Sequence, residues 1–65
     1  MRKYRFKCVY DDGIHDFTYV NAETKEEAFR ASIIIMNCKK SLNADINHID
    51  VYDVEKAKLL FTYYK

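Results

Sequence analysis

The stretch from Thr24 to Leu42 constrains this chain more than any other feature. At about 100° per residue, Ala28, Phe29, Ala31, Ser32, Ile35, Met36, Cys38 and Leu42 share one broad arc. Glu26, Arg30, Asn37 and Ser41 lie opposite, and Ile33 and Ile34 stand at the two margins of the apolar arc. Thr24-Lys25-Glu26-Glu27 has capping-box spacing, in which the Thr24 hydroxyl accepts from the Glu27 N–H and the Glu27 carboxylate from the Thr24 N–H. The periodicity predicts a helix over about 25–41. Lys39 and Lys40 suit the negative end of its dipole, and Asn43 the left-handed position that stops it. One helix with one apolar arc needs a sheet to lie on.

The flanking segments alternate as strands do. From Arg2 to Tyr10, Tyr4, Phe6, Cys8 and Tyr10 face one way and Arg5, Lys7 and Val9 the other, which predicts a strand over 2–10. Asp12-Gly13 holds the only glycine and reads as a two-residue type I′ hairpin turn. With Asp11 opposite Ile14, Tyr10 meets His15, Cys8 meets Phe17 and Phe6 meets Tyr19 on the core face. On the other face Val9 meets Asp16, Lys7 meets Thr18 and Arg5 meets Val20. Strand two then spans about 14–20. A third strand is predicted over 48–54, with Ile49 and Val51 inward and His48, Asp50 and Tyr52 outward. The fourth spans 58–64, with Leu59, Phe61 and Tyr63 inward and Leu60, Thr62 and Tyr64 outward.

These elements predict one α+β domain over residues 1–65, a ββαββ two-layer sandwich with the helix across one face of a four-stranded sheet. The first and fourth strands are the most apolar, while the second and third carry Asp16, Asp50 and Asp53, charges that blunt an edge. The expected strand order is therefore 2-1-4-3, with strands one and four parallel at the centre and a right-handed crossover. That arrangement resembles the β-grasp topology of small immunoglobulin-binding domains in architecture alone, and fold analogy assigns no function.

At 65 residues the chain is near the lower limit for folding alone, burying about 60% of its unfolded surface. No apolar run approaches the roughly 18 residues of a membrane span, and a cytoplasmic protein without a membrane partner is expected. Cys8 and Cys38 read as reduced core thiols. The two cysteines and two histidines lack the paired spacing of a zinc site, so neither metal nor cofactor is expected. His48 and Asp50 share a strand face, but there is no nucleophile elbow, glycine-rich loop or His-Glu-x-x-His, which argues against an enzyme.

A binding role is left. The expectation is a small protein-interaction module of adaptor or inhibitor type, docking another protein or a second copy through the open sheet face or an edge strand. Its candidate partner-binding residues are Arg5, Lys7, Val9, Thr18, Val20, Tyr52, Leu60 and Tyr64. A homodimer would add stability that so small a core lacks. The alternative is a single-stranded nucleic-acid binder using basic strand one and the nearby tyrosines, although the net charge of +1 gives it no general electrostatic support.

Overall fold

The computed structural model describes residues 1–38 and 44–65. Its elements are β1 (Arg2–Tyr10), β2 (His15–Ala22), α1 (Lys25–Cys38), β3 (Ile46–Asp53) and β4 (Lys58–Tyr64). The bounds of β1 and β4 match the alternation read from the sequence, while β2 covers 15–22 rather than 14–20 and β3 covers 46–53 rather than 48–54. The expected helix end, with Lys39, Lys40, Ser41, Leu42 and Asn43, lies outside the described residues.

The sheet order is β2-β1-β3-β4, and every neighbouring pair is antiparallel. This corrects the expected order 2-1-4-3, because β1 has β3 beside it and the parallel central pair of a β-grasp sheet is not formed. The physical reason lies in the charges of β3, which do not mark an edge. Asp50 projects onto the face away from the helix, and Asp53 is buried but satisfied. Its Oδ2 lies 3.3 Å from Arg2 Nη1, and its Oδ1 accepts the Lys56 N–H. The inward residues of β3, Ile46, Ile49, Val51 and Asp53, are all buried, whereas no residue of β4 is. Apolar content alone placed β4 at the centre; burial places it at the edge.

The first hairpin is one residue out of the expected phase. Asp11, Asp12 and Gly13 form a three-residue loop, closed by Tyr10 N–H to Ile14 O at 2.8 Å and Gly13 N–H to Tyr10 O at 2.9 Å. Gly13 takes φ +86°, the left-handed residue that follows a type I turn in such loops. The Asp12 carboxylate accepts the Ile14 N–H and fixes the exit. Cys8 therefore opposes Asp16, Phe6 opposes Thr18 and Tyr4 opposes Val20. A shift of one residue turns every side chain of the strand over. Val20 and Ala22 join the core, while His15, Phe17 and Tyr19 face the other way. The Asp-Gly pair fits both loop lengths, and matching aromatic to aromatic chose the wrong one.

The helix starts where its capping residues place it. Thr24 Oγ1 accepts the Glu27 N–H at 3.2 Å, while the Glu27 carboxylate reaches the N–H of Glu23 rather than that of Thr24. Ala28 and Ser32 are buried, with Ala31, Ile35 and Met36 packed beside them on the core of Tyr4, Phe6, Cys8, Tyr10, Ile46, Ile49 and Val51. Ile34 is exposed, as expected at the margin of the arc. Cys38 is exposed too, which corrects its placement in the core; Cys8 is buried, and neither cysteine is in a disulfide. Between Val51 and Tyr52 of β3 the register to β4 shifts, leaving Leu60 of β4 as the extra residue. The shift reverses the expected roles of two neighbours: Leu59 is exposed opposite Tyr52, and Leu60 packs against the core with Phe61.

Candidate functional site

The face of the sheet away from α1 has no layer over it among the described residues. Direct partners across a ladder share a face, so its composition follows from the registers. β1 supplies Lys3, Arg5, Lys7 and Val9, and β2 supplies His15, Phe17, Tyr19 and Asn21. β3 contributes His48, Asp50 and Tyr52, and β4 contributes Leu59, Thr62 and Tyr64.

At the centre of this face the guanidinium of Arg5 lies between two rings. Its Cζ is 5.0 Å from the Phe17 ring centre and 4.8 Å from that of Tyr52. Tyr52 is its direct partner in β3, and Phe17 its diagonal neighbour in β2. Arg5 Nε is buried without a hydrogen-bond partner, so ring stacking rather than a carboxylate holds the group. Lys3 Nζ sits 5.9 Å from the centre of the Tyr19 ring. Tyr19 itself is 60% exposed. A hollow of about 260 Å³ opens beside these groups, lined by Arg5, Tyr19, Tyr52, Asp53, Val54 and Ala57. It is shallower than the roughly 300–1,000 Å³ clefts that enclose small molecules.

The other half of the face is more apolar. Tyr64 and Leu59 are exposed, and His48 lies 5.5 Å from the Tyr64 ring. The Asp50 carboxylate accepts from the Thr62 hydroxyl at 2.7 Å and approaches His48 Nε2 at 3.9 Å. The hydroxyl thus donates to the carboxylate and not to the imidazole, which is the wrong partner for an activated nucleophile. No group of three or more His, Cys, Asp or Glu side chains stands at metal-binding distance among the described residues. No helix of those residues is long and apolar enough to cross a membrane.

Of the residues expected to bind a partner, Arg5, Lys7, Val9, Tyr52 and Tyr64 lie together on the open face. Thr18 and Val20 do not: the one-residue phase of the first hairpin turns them towards the helix. Leu60 also lies on the helix side, displaced there by the bulge. Phe17, Tyr19, Lys3 and Leu59 take their places. One signal in the sequence points to the observed phase: it sets the cations Lys7 and Arg5 directly across from the rings of Phe17 and Tyr19.

A larger hollow of about 500 Å³ runs between α1 and β4, lined by Lys25, Glu26, Phe29, Arg30, Leu60 and Phe61. Phe29 stands edge-on to Phe61 and Tyr63 there. Its charges are mixed in sign, and among the described residues no cation stacks on its rings, so size alone does not make it the stronger candidate. Comparison with family models, curated proteins and solved structures finds no match to this chain.

Proposed function

We propose that the protein is a non-catalytic binding module that docks a macromolecular partner on its open sheet face. The observation that carries this reading is the exposure of Phe17, Tyr19, Leu59 and Tyr64 on one uncovered surface, around an Arg5 already stripped of hydrogen-bonding at Nε. Scattered apolar residues are ordinary on a protein surface, but four large ones on a single face of so short a chain are a recognition surface. A module of this size suits an adaptor or inhibitor role. The test is affinity capture from the source cell with wild type and with a Phe17→Ser/Tyr64→Ser double variant. Partners retained by wild type and lost by the variant support the reading; capture indifferent to the face overturns it.

A second copy of the chain is a narrower form of the same reading, favoured by the apolar β3–β4 half with Leu59 and Tyr64. The substitution that tests it is Leu59→Lys, since a charge at Val20 would disturb the core instead. Sedimentation equilibrium should show a dimer at micromolar concentration that this change dissociates, with a melting temperature that depends on concentration. A monomer at all concentrations removes the homodimer without touching other partners.

A further inference from the structure

The chain is nearly neutral, yet its charges are segregated. The open face carries Lys3, Arg5 and Lys7, and its one carboxylate, Asp50, is engaged by Thr62 and His48. None of the three cations has an ion-pair partner among the described residues. The other acidic groups lie off this face: Asp11 and Asp12 in the first turn, Asp16 and Asp53 on the helix side of β2 and β3, Glu23, Glu26 and Glu27 around the start of α1, Asp45 just before β3, and Glu55 in the second turn. A net charge summed over the whole chain therefore conceals a cationic surface, and the surface is what a ligand meets.

Aromatic rings interleave with these cations. Arg5 stacks between Phe17 and Tyr52, and Lys3 approaches Tyr19, so the rings have neighbours that also carry positive charge. From this pairing of unpaired cations with exposed rings, and resting on the open-face reading above, we infer that the partner is a single-stranded nucleic acid. The chemistry on the two sides matches. Unstacked bases offer π-faces to Tyr19 and to the outer side of Phe17, while phosphates lie within reach of Lys3, Lys7 and the guanidinium edge of Arg5. A duplex keeps its base faces buried in the stack, so only its phosphates can use the surface. An acidic protein segment would satisfy the cations, but only a nucleic acid supplies a planar group with every negative charge along its chain.

Fluorescence anisotropy of the full chain decides the question, using end-labelled oligodeoxythymidine, oligodeoxyadenosine and oligouridine of about 15 nucleotides and a mixed-sequence duplex of equal length. The single strands should bind and the duplex should bind more weakly. With three phosphates neutralised, affinity should fall roughly twentyfold between about 50 and 200 mM salt. Tyr19→Ser, at a residue exposed enough to leave the fold intact, should weaken binding about tenfold. Lys3→Gln/Lys7→Gln should flatten the salt dependence. Arg30→Gln, one charge removed on the helix side, is the control and should leave binding unchanged. Circular dichroism melts confirm that each variant is folded. Absence of binding at about 50 mM salt overturns the inference, as does duplex binding that ignores Tyr19→Ser, or an Arg30→Gln effect equal to that of the lysines. A nuclease-resistant protein partner, lost from the Phe17→Ser/Tyr64→Ser variant and accompanied by no oligonucleotide binding, overturns the nucleic-acid assignment and leaves the open-face reading standing. Capture that ignores the face removes both.

Discussion

Arg2 and Asp53, fifty-one positions apart, meet at 3.3 Å across the helix side of the sheet. The carboxylate is buried and the guanidinium half exposed, so the pair ties the start of β1 to the end of β3 where the core meets solvent. Asp53 also accepts the Lys56 N–H, which anchors the turn into β4. Arg2→Ala should cost about 1–3 kcal/mol, because it leaves a buried carboxylate with one partner fewer. Urea denaturation checks this. A variant within error of wild type would show that water replaces the guanidinium without loss.

Tyr10 should ionise late. Its hydroxyl donates to Asp16 Oδ2 at 3.0 Å from a ring that is nearly buried. Burial, and then the hydrogen bond and charge of Asp16, push its pKa up from the ordinary value near 10 to about 12. The folded state holds this proton more tightly than the unfolded state does. Its stabilising contribution is therefore complete below pH 10 and is lost as the pH rises from about 10 to about 12. Ultraviolet titration should show a late phenolate phase, near pH 12, that belongs to Tyr10 and is lost in Tyr10→Phe. Asp16→Asn should bring that late phase earlier, and no change on this substitution would remove Asp16 as a cause.

The two hairpin turns make opposite predictions. Gly13 sits at φ +86° with open space where a side chain would begin, so any penalty there comes from backbone conformation rather than from collision. Gly13→Val should destabilise by about 1–2 kcal/mol, since a β-branched residue resists a positive φ. Ala57, at φ +51°, already bears such a cost in the second turn. Ala57→Gly should stabilise by about 0.5–1 kcal/mol, the relief of left-handed strain exceeding the added freedom of the unfolded chain. Thermal melts of the two variants should move in opposite directions from wild type.

Local pattern made the elements legible. The alternation of Tyr4, Phe6, Cys8 and Tyr10 names the buried side of β1, and Ile49 and Val51 name that of β3. The Thr24 cap locates the start of the helix. Strand order was not legible, because Asp53 reads as an edge charge until Arg2 is seen beside it, and nothing along the chain announces a partner so distant in sequence. The binding surface was half legible for another reason. Arg5, Lys7, Val9 and Tyr52 follow from strands whose inward side is plain, and Tyr64 from the alternation of β4 beyond its bulge. Thr18, Val20 and Leu60 depended on the phase of a hairpin and on a bulge, and each is decided by a single residue.

The loop of Asp11, Asp12 and Gly13 accordingly acts as a parity setting for β2. Pairing Tyr10 with Ile14 displays His15, Phe17 and Tyr19, and pairing Tyr10 with His15 would display Asp16, Thr18 and Val20 instead. The two sets are chemically unlike, one aromatic and the other small and acidic. A slip of one residue in the pair that closes the loop would here exchange the presented surface wholesale while every amino acid kept its identity. Gly13 at φ +86° and the Asp12 carboxylate on the Ile14 N–H, which hold that closing pair, thereby select the chemistry of a surface they do not belong to.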